Sequence, residues 1–191
     1  MKITEMNYTK ILSQETKYKM TDLFGRETEN KTYISFSYDE NSLCVCFTAY
    51  FSKPLPQKYK RKTGKVYRSD CVELFLAFEK ESSDYYELDV SPFNKTFFAK
   101  IKNLDDVNVQ VFPWKEKQIV TNSQVFDDYY EVVYTIPLWA FPEYKGDIYL
   151  NAYRVEMQKS KRISRSLFPT YSLSHHIKKS FKRLIFKDKL L

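Results

Sequence analysis

The decapeptide Tyr67-Arg68-Ser69-Asp70-Cys71-Val72-Glu73-Leu74-Phe75-Leu76 carries the clearest structural signal in the chain. Side chains of a strand alternate between its faces, so Val72, Leu74, Leu76 and Phe78 fall on one face. Cys71, Glu73, Phe75 and Ala77 fall on the other. Both faces are apolar except at Glu73. A carboxylate there requires open water or a partner, because burying it alone is costly. Tyr67 stands just before the strand, at the rim of the Glu73 face. A ring at a rim with a carboxylate on the floor beside it suits a sugar. The alternative is an edge-strand Glu in solvent and a Tyr packed on a loop.

The same alternation recurs on either side. Residues 32–38 and 43–51 read as a hairpin around the turn Asp39-Glu40-Asn41-Ser42. Residues 85–90 place Tyr86, Leu88 and Val90 inward and Tyr85, Glu87 and Asp89 outward, and 95–102 return antiparallel after Ser91-Pro92-Phe93-Asn94. Further strands are expected over 107–112, 118–124, 129–136, 148–157 and 182–187, with a short helical turn held between Pro137 and Pro142. No amphipathic helix is long enough to cross between parallel strands. Aromatic residues reach 17% while Gly numbers only 3, a composition that favours half-buried pleated surfaces. The expectation is an all-β protein: a single domain over residues 1–191, an antiparallel β-sandwich of jelly-roll type with at most short helical turns.

At 191 residues the chain can bury a full core without disulfides or metals. Three cysteines, Cys44, Cys46 and Cys71, cannot all pair, which points to reduced thiols. Residues 1–7 lack the apolar stretch of a secretory signal, and no apolar run is long enough to cross a bilayer. The default compartment is therefore the cytoplasm, with secretion open should the chain be trimmed. The net charge of +7 is concentrated in two places. One is the acid-free run holding Lys53, Lys58, Lys60, Arg61, Lys62, Lys65 and Arg68; the other lies beyond Lys159. Such a distribution attracts anions, although solvated lysine-rich loops are the commoner explanation.

Catalytic patterns are absent. Three glycines cannot build a phosphate-cradling loop, and neither nucleotide fingerprint occurs. The two histidines, His175 and His176, are adjacent and point in opposite directions on an extended segment. Carboxylates such as Glu73 and Glu87 could face each other across neighbouring strands, which is the sole hint of hydrolytic chemistry. A non-enzyme is expected.

Six pieces, in order, resemble family 9 carbohydrate-binding modules over residues 30–187 or so. Tyr38-Asp39-Glu40-Asn41-Ser42-Leu43-Cys44-Val45 resembles the family's hairpin, and residues 70–76 its Asp-x-Val-Glu-apolar-Phe strand. Tyr85-Tyr86-Glu87-Leu88-Asp89-Val90-Ser91-Pro92 resembles the Tyr-x-Phe-x-Val-Asn-Pro strand and turn. Residues 130–138 resemble the strand ending in Ile-Pro, and Leu150-Asn151-Ala152-Tyr153-Arg154-Val155-Glu156 the Asn-Phe-x-Arg-x-Glu strand. Pro169-Thr170 and His176…Phe181…Leu184…Phe186 resemble the closing signatures. The resemblance implies a sugar held between two rim aromatics, with polar side chains of the sheet on its hydroxyls. It places Tyr67 at the first platform, Glu73 at the sugar-binding Glu and His175 at the second platform, where sugar-binding members carry Trp. Glu87 shares the outward parity of Glu73 and suits a second hydroxyl contact. Arg154 either joins the site or pairs with a carboxylate inside the sandwich. The calcium sites of some members have no acidic cluster here, so neither metal nor cofactor is expected.

The expected function is thus lectin-like, non-catalytic binding of a mono- or oligosaccharide by Tyr67, Glu73, Glu87, Arg154 and His175. Lys60, Arg61, Lys62 and Lys65 near the rim add a preference for acidic or phosphorylated saccharides. Two alternatives remain open. One is a haem-binding redox module of the same sandwich type, with Met157 and His175 as axial candidates. The other is nucleic-acid or polyanion binding through the basic loops, with Tyr59, Phe168, Tyr171 and Phe181 as stacking platforms. No membrane partner is expected.

Overall fold

Alternating runs become strands because one side of each can be buried while the backbone pairs laterally. The computed structural model describes residues 6–8, 16–38, 41–52, 55, 65–106, 108–158 and 161–186. Its strands are β1 (Met6–Tyr8), β2 (Tyr18–Lys19), β3 (Thr21–Asp22), β4 (Thr32–Tyr38), β5 (Ser42–Tyr50), β6 (Cys71–Ala77) and β7 (Asp84–Val90). They continue with β8 (Thr96–Asn103), β9 (Val109–Pro113), β10 (Val120–Val125), β11 (Tyr129–Pro137), β12 (Ile148–Gln158), β13 (Lys161–Ser166) and β14 (Lys182–Phe186). Helical structure among the described residues is confined to 3₁₀ turns at Val66–Arg68, Leu138–Ala140 and Lys178–Ser180. The second of these is the turn expected between the two prolines.

The strands form two facing sheets. The larger runs β1-β14-β12-β6-β7-β8-β9, with β13 and β3 extending it beside β12; the smaller runs β10-β11-β5-β4-β2. Among the described residues, pairing is antiparallel except between β1 and β14, which run parallel. Strand β13 has no counterpart among the expected strands: Lys161-Arg162-Ile163-Ser164-Arg165-Ser166 shows no apolar alternation, and pairing with β12 holds it in place.

Between the sheets lies the main core. Val72, Leu74, Leu76, Leu88, Val90, Leu150 and Ala152 of the larger sheet meet Ile34, Phe36, Val45, Phe47, Val132, Tyr134 and Ile136 of the smaller. The inward parities expected for β6 and β7 are those observed. The outer face of the larger sheet, however, is not a solvent face. Leu23, Phe75, Tyr85, Ala99, Ile101, Tyr153 and Phe181 form a second cluster there, because the segments 22–29 and 167–181 fold across it. Cys44 and Cys46 are half-buried on the outer side of the smaller sheet, and Cys71 is buried; all three are thiols.

The structure corrects the placement of Arg154. It lies opposite Val72 in the β12–β6 register and so points between the sheets, away from Glu73, which lies opposite Tyr153. It is wholly buried. Its Nη1 donates to Thr32 Oγ1 at 3.0 Å and to the Tyr50 carbonyl, and its guanidinium lies 5.5 Å from the Tyr130 ring centroid. This side chain works inside the sandwich, away from the Glu73 face.

Candidate functional site

A cleft of about 1100 Å³ lies on the outer face of the larger sheet. Glu73, Phe75, Glu87, Phe97 and Val111 floor it, on β6, β7, β8 and β9. Its walls are the turn after β3, strand β13, the loop carrying His175 and the turn carrying Tyr67.

Each wall has a local cause. After β3, Asp22 Oδ1 accepts the amides of Phe24 and Arg26 at 2.9 and 2.8 Å, and Oδ2 pairs with Arg26 Nε at 2.7 Å. Gly25 completes the turn at φ +84°, where an added Cβ would stand 3.3 Å from Pro169. The C-terminal wall is tied down by Asn151, which projects from β12 on the cleft face. Its Nδ2 donates to the Phe168 carbonyl and Ser180 Oγ, both at 2.9 Å, and its Oδ1 accepts the Phe168 amide at 3.0 Å. Asn103 Nδ2 holds the His176 carbonyl at 2.7 Å, and Tyr153 Oη that of His175 at 2.7 Å. Buried amides that satisfy backbone groups in this way fix a loop to a sheet.

Tyr67, Glu73, Glu87 and His175 all line this cleft; Arg154 does not. Tyr67 is half-buried, edge-on to Phe97 with centroids 5.4 Å apart, and Arg68 sits 5.7 Å from its ring centroid. Glu73 is the buried anchor. Its Oε2 contacts His175 Nδ1 at 2.7 Å, while its Oε1 lies 3.6 Å from Arg162 and accepts the Cys71 thiol at 3.7 Å. Burial pushes the Glu73 carboxyl up, but His175 and Arg162 outweigh that and hold it below the ordinary carboxylate range. It is therefore an anion at neutral pH.

His175 departs from its expected role. It is buried with its ring stacked on Tyr153, centroids 4.4 Å apart and planes within 4°. One face is thus covered, and the ring serves as Glu73's partner rather than as a rim platform. His176 packs on Phe75 at 5.5 Å and is pushed down to about 4 by burial, so it is neutral. Burial raises the Tyr85 hydroxyl, which stays protonated and donates to His176 Nδ1 at 2.6 Å. The His176 proton accordingly sits on Nε2.

Glu87 and Asp89 complete the carboxyl cluster. Asp89 lies directly opposite Glu73, and Glu87 opposite Phe75, so three carboxyls share one face of two strands. Burial first, then the Glu73 charge, pushes Glu87 up to about 8; burial and both glutamates push Asp89 well above its ordinary value. Both carboxyls therefore hold their protons at neutral pH. With folded values above unfolded ones, their stabilisation is fully present below about pH 4. It is lost as pH rises through the folded values.

Phe24, Phe97 and Arg162 line the cleft beyond the residues expected there, and Asp89 acts on it through Glu87. Asp89 has a sequence signal, since it shares the parity of Glu87. Phe97 continues that parity on β8, opposite Asp89. Phe24 and Arg162 reach the cleft only through tertiary folding. Of the basic residues expected at the rim, Lys65 lines the cleft, whereas Lys60, Arg61 and Lys62 lie outside the described residues, as do Lys53, Lys58 and Tyr59. Phe168 and Phe181, expected as stacking platforms for nucleic acid, are buried; Tyr171 is exposed. Met157 is half-buried against Val66, Cys71 and Val155.

No protein-family model matches the chain, and no curated protein matches it in sequence. Solved structures do. A family 9 carbohydrate-binding module from Caldicellulosiruptor kristjanssonii in complex with glucose superposes with TM-score 0.65 at 14% identity, covering 96% of each chain. The module from the same organism in complex with cellotriose gives 0.63 at 15%, covering 98% of this chain and 93% of that one. A protein from Bacteroides uniformis, provisionally assigned to carbohydrate binding, gives 0.69 at 14%, covering 91% and 87%. At such identities the likeness defines the fold: this chain has the β-sandwich fold of family 9 carbohydrate-binding modules.

Proposed function

We propose that the protein is a non-catalytic carbohydrate-binding domain and that the cleft over Glu73 is its binding site. The observation that carries the reading is a buried, ionised carboxylate held by His175 at 2.7 Å on the floor of an open cleft rimmed by Tyr67. A sugar presents hydroxyls to such an acceptor and an apolar C–H face to such a ring. Glu87 offers a second polar contact on the same floor. An acidic substituent would sit at the mouth, where Lys65, Lys161 and Arg162 line the wall. The fold likeness to sugar-complexed modules supports the reading independently.

Calorimetric titration with cellotriose, glucose and a glucuronate-containing oligosaccharide tests it. Saturable binding is expected, tightest for the acidic ligand, and weakened about tenfold by Tyr67→Ala through loss of stacking. Binding that survives that substitution would move the site elsewhere, and equal affinity for acidic and neutral ligands would remove the charge preference.

A further inference from the structure

The floor of the cleft gathers three carboxyls on one face of β6 and β7, more than the cations beside them can pair. Glu73 has His175 and Arg162. Among the described residues Glu87 and Asp89 have no ion pair to Lys, Arg or His, and both Asp89 oxygens are buried without a hydrogen-bond partner. The groups facing Glu87 are Glu73 from β6, Asp89 and Tyr85 from its own strand, and Arg162 from β13. Arg162 is the single cation of that set, and its side chain, 45% exposed, leans on Glu73. Like charges opposed across strands destabilise each other, and a buried carboxylate without a cation retains its proton instead.

Glu87 is not closed off: it lines the cleft although only 6% of its surface is exposed, with Asp89 wholly buried behind it, and His175, equally buried, lines the cleft too. The His175 Nε2, across the ring from the Glu73 contact, has no hydrogen-bond partner among the described residues. His175 and the carboxyl pair are thus both neighbours of Glu73.

We propose that the Glu87–Asp89 side of the floor receives a protonated amine, so that the saccharide held in this cleft is an amino sugar. This rests on the carbohydrate reading above and narrows it. A hydroxyl would donate one hydrogen and leave the carboxyls protonated; an ammonium brings three donors and a positive charge against which Glu87 can ionise. An anion at this depth would meet the carboxyls, which confines an acidic group to the mouth. A divalent cation is a poorer occupant, because no three His, Cys, Asp or Glu side chains among the described residues are set to hold one. On binding, the ammonium keeps its own proton, Glu87 ionises against it, and the proton that Glu87 gives up passes to the buffer.

The test uses three β-1,4-linked trisaccharides that differ at one carbon: cellotriose, the glucosamine trimer and the N-acetylglucosamine trimer. At pH 6.5 the glucosamine trimer is expected to bind about tenfold tighter than cellotriose. The uncharged N-acetyl trimer is expected to show no such advantage. Titrations in buffers of different ionisation enthalpy should register proton release with the glucosamine trimer alone. In Glu87→Gln the glucosamine trimer and cellotriose should bind alike. Urea unfolding verifies that this variant is folded, and its stability relative to wild type should improve as pH rises from 5 to 8. Equal wild-type affinity for the three trimers would overturn the amine assignment and leave carbohydrate binding standing. Failure of all three to bind would overturn both.

Discussion

Replacing Glu156 by alanine is expected to destabilise the protein by about 3–5 kcal/mol, because it leaves two buried guanidinium groups without their shared anion. Arg165 Nη2 lies 2.8 Å from Glu156 Oε2, and Arg154 Nη2 lies 3.8 Å from the same oxygen. Arg154 and Arg165 are directly opposed in the β12–β13 register, so the carboxylate offsets a repulsion built into the pairing. Glu156 Oε1 also accepts from Asn30 Nδ2 at 2.6 Å and from Gln158 Nε2 at 2.8 Å. Burial pushes the Glu156 carboxyl up, but Gln158, the two arginines and Asn30 outweigh it and bring it below its ordinary value. Its stabilisation is therefore present above the unfolded value and is lost as pH falls through the folded one. Chemical denaturation across pH 3–7 checks this: the gap between wild type and Glu156→Ala should be full near neutrality and shrink in acid. A gap below about 1 kcal/mol at pH 7 would mean that solvent, not Glu156, balances the arginines.

Glu73→Gln is expected to weaken saccharide binding roughly 10- to 150-fold while the protein stays folded. The substitution keeps the size of the side chain and one carbonyl oxygen for His175, but removes the charge. A hydrogen bond to a buried anion is worth about 1.5–3 kcal/mol, more than one to an amide. Since His175 and Arg162 hold Glu73 below the ordinary range, wild-type affinity should persist through mildly acidic pH. For cellotriose, which displaces no proton, it should fall only as Glu73 itself takes one. Calorimetry on the variant, with near-UV circular dichroism to confirm its packing, reads the outcome. Undiminished affinity would take Glu73 out of the site.

The alternation in Cys71–Ala77 and in Asp84–Val90 makes both strands, their inward faces and the position of Glu73 legible in the amino-acid order alone. What alternation cannot give is register between strands. Arg154 and Tyr153 are neighbours in sequence, and only the pairing of Arg154 with Val72 sends the arginine inward. The histidines are hard to read for a related reason. Spacing from Phe181 places His175 near the site, but its burial depends on Asn151 and Asn103 drawing residues 168–180 down onto the sheet. Those contacts join positions far apart in the chain, and neither asparagine announces its partners. Strand β13 is hidden because its sequence is mostly charged and polar. One of those charges, Arg165, is buried only because Glu156 stands beside it. The carboxyl pair is half visible: the shared parity of Glu87 and Asp89 is plain, while the absence of an ion pair to either among the described residues emerges only when the sheet is assembled.

Amide-correlation NMR of the wild-type protein during titration with a cello- or glucosamine trisaccharide reads the location of binding residue by residue. Saturating shifts centred on Tyr67, Glu73, Glu87, Phe97 and the 173–176 loop are the predicted result. Shifts centred on the outer side of the smaller sheet, or none at millimolar ligand, would contradict a sugar seated above that buried anion.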